Sequence, residues 1–282
     1  MGSVRDSGVQ DNAGHDERKT GTREGRDLPS LGAHCSIMPM PPVTPGWCAV
    51  RHNAGMAYTQ IEVAGSTANA AFALPATGSG PGVIVIQEWW GLVPHIESVV
   101  TRLADAGFVA LAVDHYRGAK TTEPDEAGKL MMGLDIGSIA EDLAGAASWL
   151  CARPEVTGAG VGVIGFCMGG GLALLAPTVS ERICCASAFY PAMPWPDYAP
   201  DWSAYAGKCA QVHKAESDET GMGARIDEVA AQIRAAGGTV EVFTYPGSQH
   251  AFFNDDRPEV YHQAHASTAW ERTCALLRAD CC

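Results

Sequence analysis

The chain has 282 residues, 46% of them hydrophobic, which is enough for one large core. Its net charge of −13 excludes nucleic acid and anionic membrane surfaces as natural partners, and an anionic substrate would need a cation of its own at the binding site. No run of about 18 apolar residues marks a membrane span, and the first 30 residues lack the apolar core of a secretory signal.

Residues 1–55 differ from the rest. The first 30 are polar, carry both signs of charge and show no periodicity, and residues 38–45 are proline-rich. Asp6, Asp11, Asp16 and Glu17 argue against a mitochondrial transit peptide, and Gly2 lacks the Ser or Thr that myristoylation needs. The expectation is a disordered extension over 1–55 and one globular domain over 56–282. Ten cysteines are present, with no Cys-x-x-Cys pair and no His-x-x-x-His partner, so free thiols in a reducing cytoplasm is the simplest reading.

From Tyr58 the pattern turns globular. Residues 58–63 and 68–74 alternate apolar and polar around Gly65-Ser66, a hairpin signal. Residues 83–86 and 108–113 read as buried strands, with a helical stripe between them over 95–106. A second helix is predicted over 135–151, then strands over 161–164 and 183–189 and a weaker one over 211–215. A helix over 222–236, a strand over 240–245 and a last helix over 258–277 complete the series. Strands that alternate with helices predict a mostly parallel, doubly wound α/β sheet, with its site at the strand C-terminal ends.

Residues 161–171 carry the chemistry. Val161 to Ile164 is a buried strand, Leu172-Ala173-Leu174-Leu175 is helical, and Gly165-Phe166-Cys167-Met168-Gly169 lies between. Gly-x-Cys-x-Gly at a strand–turn–helix junction is the nucleophile elbow of α/β-hydrolases with cysteine in place of serine. On this stretch alone, a glycine-rich phosphate-binding turn with an incidental cysteine stays open. A cysteine nucleophile needs a base, and the base an orienting acid, in chain order nucleophile, acid, base. Asp218 follows the 211–215 strand, and His250 follows the 240–245 strand. Asp218 could also be a solvated carboxylate between Glu216 and Glu219. Among the other histidines, His213 is expected inside a strand, His262 and His265 on a solvated helix face, and His115 before the nucleophile.

At this point residues 58–279 resemble the dienelactone hydrolase family. The matching pieces are Gln87-Glu88-Trp89-Trp90-Gly91, Asp114-His115-Tyr116-Arg117-Gly118, Gly165 to Gly170, Phe189-Tyr190-Pro191, Asp218 and His250-Ala251-Phe252. The resemblance implies an α/β-hydrolase fold and a triad of Cys167, Asp218 and His250. It implies Glu88 as the carboxylate that helps generate the thiolate, and the backbone N–H groups of Met168 and Trp89 as the oxyanion hole. It further implies Arg117 on a substrate carboxylate. The sequence departs from the family at Asn254 and Ala251, where a second arginine and a serine are expected, and at Thr121, where a tyrosine is expected. Independently of the family, Glu88 between Ile86 and Trp89-Trp90 is expected to be desolvated and basic; a salt-bridged structural role is the alternative. Asp114 is expected to brace its own loop.

A thiol nucleophile favours substrates with good leaving groups, so the expected reaction is hydrolysis of a lactone or activated ester through a thioester, with neither metal nor organic cofactor. Trp89, Trp90, Tyr190, Phe252 and Phe253 suggest an aromatic pocket, with core packing as the alternative, and Asn254 a neutral hydrogen bond to substrate. The expected partner is a small-molecule ester or lactone, and the expected assembly a monomer or weak homodimer. Three alternatives compete with this reading: a general carboxylesterase, a glutamine-amidotransferase-like enzyme and a catalytically silent binding protein. An amidotransferase would carry His-x-Glu where this chain has His250-Ala251-Phe252, and an intact Cys167, Asp218, His250 and Glu88 set argues against silence.

Overall fold

The alternating residues after Met56 form one edge of an eight-stranded sheet in a computed structural model that describes residues 55–280, apart from 64, 196–197 and 221–222. The expectation for 1–55 therefore falls outside the described residues except at Gly55. The strands are β1 (Ala57–Val63), β2 (Ser66–Ala73), β3 (Gly80–Ile86), β4 (Val109–Val113), β5 (Val156–Phe166), β6 (Ile183–Phe189), β7 (Cys209–Ser217) and β8 (Thr239–Gln249). Their spatial order is β1-β2-β4-β3-β5-β6-β7-β8. The β1–β2 hairpin and the β2–β4 pair are antiparallel, and every other pairing is parallel. This is the α/β-hydrolase fold, as the alternation of strands and helices predicts.

The helices are α1 (Pro94–Asp105), α2 (Pro124–Met132), α3 (Ile136–Cys151), α4 (Met168–Val179), α5 (Gly223–Ala235) and α6 (Gln263–Asp280). Arg102 of α1 lies over the Trp270 ring of α6, and Arg278 of α6 donates to Ala106 O just past α1, so these two helices share one face. On the other face α3 packs against α4, and Leu174 of α4 joins Ile226, Val229 and Ile233 of α5 in one apolar cluster.

Three sequence expectations are corrected. Residues 258–262 are not helical: Tyr261 N donates to Arg257 O and His262 N to Phe252 O, a turn that holds the chain against the preceding loop until α6 starts at Gln263. Helix α2 and a 3-10 turn at Trp202–Tyr205 were not anticipated. Helix α2 buries only Ala127, so its sequence carries almost no apolar stripe. Strand β5 begins five residues before the predicted run, and the register shift between Pro81 and Gly82 absorbs its extra residues.

Because the described sheet opens at Ala57 with Met56 packed on the core, a chain beginning at Met56 should retain its fold. We expect such a truncation to keep kcat/KM within about twofold and its melting temperature within a few degrees, since residues 1–55 offer little apolar surface to bury. An insoluble or inactive truncation would show that the extension completes the core or the site.

Candidate active site

Three strand ends bring the site together. At the end of β5 the chain turns sharply through Cys167, whose φ of 53° is a conformation that only a surrounding structure holds for a non-glycine residue. Cys167 N donates to Phe189 O, and Cys167 O accepts from Gly170, Gly171 and Ala192. Two glycines make the turn possible. A Cβ at Gly165 would overlap the Gly169 carbonyl, and one at Gly169 would overlap the carbonyls of Ile86 and Gln87. The second approach lays the first turn of α4 against the end of β3. Met168, the first residue of α4, and the Glu88–Gly91 turn thereby become neighbours; in that turn Gly91 N donates to Glu88 O. A first-turn N–H has no acceptor within its own helix, so the Met168 N–H is available to a ligand.

Strands β7 and β8 end beside Asp218 and His250. His250 Nδ1 lies 2.8 Å from Asp218 Oδ2, while Asp218 Oδ1 accepts from Thr220 N and Thr220 Oγ1. Burial pushes the Asp218 carboxyl up, but the hydrogen bonds and charge of His250 and the two bonds from Thr220 outweigh it and the net shift is downward. Asp218 is therefore an anchored carboxylate and not a solvated one. Burial alone would push His250 down. The charge of a Cys167 thiolate and the Asp218 carboxylate reverse this, and the imidazole is raised to about 10. Its Nε2 is buried without a hydrogen bond of ordinary geometry, and Cys167 raises the imidazole mainly through its charge, with a smaller hydrogen-bonding contribution.

Glu88 is 2% exposed, and both of its oxygens accept hydrogen bonds, Oε1 from Tyr190 at 3.2 Å and Oε2 from Asn254 Nδ2 at 3.0 Å. Two donors on two oxygens fit a carboxylate. Burial, then the charges of Glu88 and Cys167, raise the Tyr190 hydroxyl far above its ordinary value, so it stays a donor. Asn254 thus steadies Glu88 and does not extend an open amide toward substrate. Tyr190 and Phe252 are fully buried; Phe252 packs between Tyr190 and Tyr245 and belongs to the core, not to a pocket wall. Trp89 and Trp90 are half-buried and stack edge to face on each other.

Arg117 is drawn elsewhere. Its Nη2 bonds both oxygens of Asp142 at 2.8 and 2.7 Å and reaches Ser66 Oγ, while Nη1 donates to Asp114 O. Asp142 is a buried carboxylate on α3 with His115 as its second neighbour. Asp114 braces its own loop, as expected, by accepting from Tyr116 N and Gly118 N.

Several contributors carried weaker sequence signals. Tyr116 OH donates to Met168 Sδ at 3.2 Å, and burial followed by the charge of Cys167 raises its hydroxyl. Asp142 lies three residues after Ile139 on an otherwise apolar helical stripe, a pattern that announces a buried partner. Asp255 pairs with His95 at 3.3 Å and Arg102 at 3.8 Å on α1, and Arg102 stacks on Phe253 and Trp270. No spacing in the sequence links those elements. Among the described residues no group of three or more His, Cys, Asp or Glu side chains is placed to hold a metal ion, and no helix is long and apolar enough to cross a membrane.

The model of the dienelactone hydrolase family matches residues 68–280. The chain belongs to the dienelactone hydrolase family. As a member it is a hydrolase of carboxylic esters. Protein usf of Aquifex pyrophilus is 32% identical over 210 residues, spanning 71% of this chain and 88% of that one. A protein of Aquifex aeolicus named "Putative carboxymethylenebutenolidase" is 31% identical over 204 residues, covering 68% of this chain and 85% of its own. Among solved structures, one titled as a "Putative Dienelactone Hydrolase" from Klebsiella pneumoniae superposes with a TM-score of 0.71 at 26% identity, covering 79% of this chain and 98% of that one. That structure thus shares this fold over nearly its whole length.

Proposed function

We propose that the protein hydrolyses a lactone or an activated carboxylic ester by a Cys167-His250-Asp218 triad through a thioester acyl-enzyme. The observation that carries this reading is Cys167 held at a strained elbow beside a His250 whose other nitrogen is fixed on Asp218 at 2.8 Å.

The cysteine sulfur attacks the ester carbonyl as a thiolate, forming a C–S bond, while the carbonyl oxygen takes the negative charge. The N–H groups of Met168 and Trp89 stabilise that oxyanion. On collapse the C–O bond to the leaving group breaks, and the imidazolium of His250 gives the departing oxygen its proton. Acylation removes the thiolate charge that had raised His250. The ring is then neutral and accepts a proton from the water that attacks the thioester. Expulsion of the thiolate restores the starting pair, and the net products are a carboxylic acid and an alcohol or phenol. Glu88, a buried carboxylate held by Tyr190 and Asn254, is a second base for the Cys167 thiol, and a proton taken up there leaves the thiolate. A reducing cytoplasm suits this chemistry, because the nucleophile must stay unoxidised.

The test is a panel of lactones and aryl esters compared by kcat/KM, with acid quenching and intact-mass measurement during turnover. We expect turnover with an added acyl mass that maps to the Cys167 peptide. An acyl group on a different residue, or no turnover of any panel member, would reject the mechanism.

A further inference from the structure

We propose that the acyl group accepted at Cys167 is electrically neutral and that the site selects against esters bearing a free carboxylate. The inference rests on the hydrolase reading above and adds a substrate class to it.

Among the described residues, the basic side chains at this end of the sheet already have partners. Arg117 grips both oxygens of the buried Asp142 and touches Ser66, at the start of β2. In the sheet order β2 is three strands from β5, so about 14 Å of sheet separates that position from the strand that bears Cys167. Lys120 faces Glu97, Arg257 is bonded to Glu259, and Arg102 is stacked on aromatic rings and paired with Asp255. Asn254 contributes an uncharged amide, and that amide donates to Glu88.

The charges that do face the reaction are mostly negative. Glu88 accepts two hydrogen bonds, Asp218 holds His250, and the nucleophile itself attacks as an anion; among the described residues, His250 supplies the opposing positive charge. A carboxylate entering the site would meet this excess in a partly desolvated setting where like charges repel strongly. The chain as a whole, at −13, repels it on approach. A cleft of about 270 Å³, partly lined by Gly171 of the elbow helix, has walls of Met193, Trp195, Tyr198 and Trp202. Its cation, Arg225, donates to Met193 O, and the carboxylate of Glu228 lines the same cleft.

The experiment compares 4-nitrophenyl hexanoate with mono-4-nitrophenyl adipate, acyl groups of equal length that differ by a terminal carboxylate. Full-length protein is used at pH 7.5, and the spontaneous hydrolysis of each ester is subtracted. We expect kcat/KM for the neutral ester to exceed that for the anion by at least about tenfold at 20 mM salt. The gap should narrow at 0.5 M salt, where screening shortens the reach of the repulsion. Arg117→Ala should leave the ratio within about twofold, and Arg117→Lys serves if the alanine variant does not fold. An anionic ester turned over as fast as the neutral one would overturn the inference and leave the hydrolase intact. So would an adipate rate that falls with salt or an Arg117 variant that changes the ratio several-fold. Turnover of neither ester would overturn the hydrolase reading and this inference with it.

Discussion

Cys167→Ala is expected to abolish ester hydrolysis, with a loss of about four decades or more in kcat, while the protein stays folded. The loss is large because the covalent step disappears entirely, and the Met168 and Trp89 N–H groups then have no bound intermediate to stabilise. The fold should tolerate it: alanine is smaller than cysteine, and the strained backbone at this position is held by backbone hydrogen bonds with Phe189 O, Gly170 N and Ala192 N, which the substitution leaves in place. In the unmodified protein a stoichiometric dose of iodoacetamide should label Cys167 before other cysteines, and substrate should protect it. Cys274 is buried and pushed up to about 12 by that burial, so it presents almost no thiolate at neutral pH. Activity above one part in a hundred in the alanine variant, with labelling first at a different cysteine, would remove Cys167 from the mechanism.

His250→Asn and Asp218→Asn should each cost several decades in kcat, with Asp218→Asn the milder. The double variant should be little worse than His250→Asn alone, because members of a triad act as a unit. Additive losses would mean the two side chains act independently. A second signature lies in stability against pH. His250 is raised from an ordinary 6.5 to about 10 in the folded state, so it contributes stability that is complete below 6.5 and lost as pH rises through about 10. Asp218 is lowered, so its contribution is present above the ordinary carboxylate range and lost as pH falls through its folded value. Melting temperature should therefore decline between pH 6.5 and 10 in the wild type, and His250→Asn should flatten that decline. An unchanged slope in the variant would mean that His250 is not the group held protonated.

Local pattern carried most of the fold. The buried strands β3, β4 and β6 are continuous apolar runs of the sort a parallel sheet requires, and helices α1 and α3 show apolar residues at helical spacing. Residues 258–262 misled because Pro258 imitates a helix start, whereas the chain is tied to Phe252 O by a long-range bond that no local signal contains. The same division runs through the site. Cys167, Asp218 and His250 were legible because each occupies a strand end in a fixed order. The destinations of Arg117 and Asn254 were not, because the sequence shows a side chain's donors but not which carboxylate folding places beside them. Asp142 and Glu88 decide those destinations from 25 and 166 residues away.

The six residues from His250 to Asp255 act as a single mechanical part. Within that span His250 is fixed on Asp218, two aromatic rings fill the core, Asn254 steadies Glu88, and Asp255 fastens to His95 and Arg102. Ala251 is pinned at a φ of 66° between them. Directed evolution that randomises these positions one at a time samples mostly broken enzymes, because every single exchange loosens a tether on which the others depend. Productive diversity here comes from recombining the segment whole, together with Glu88, His95 and Arg102, whereas the half-buried Trp89 and Trp90, stacked on each other, are better varied as a pair.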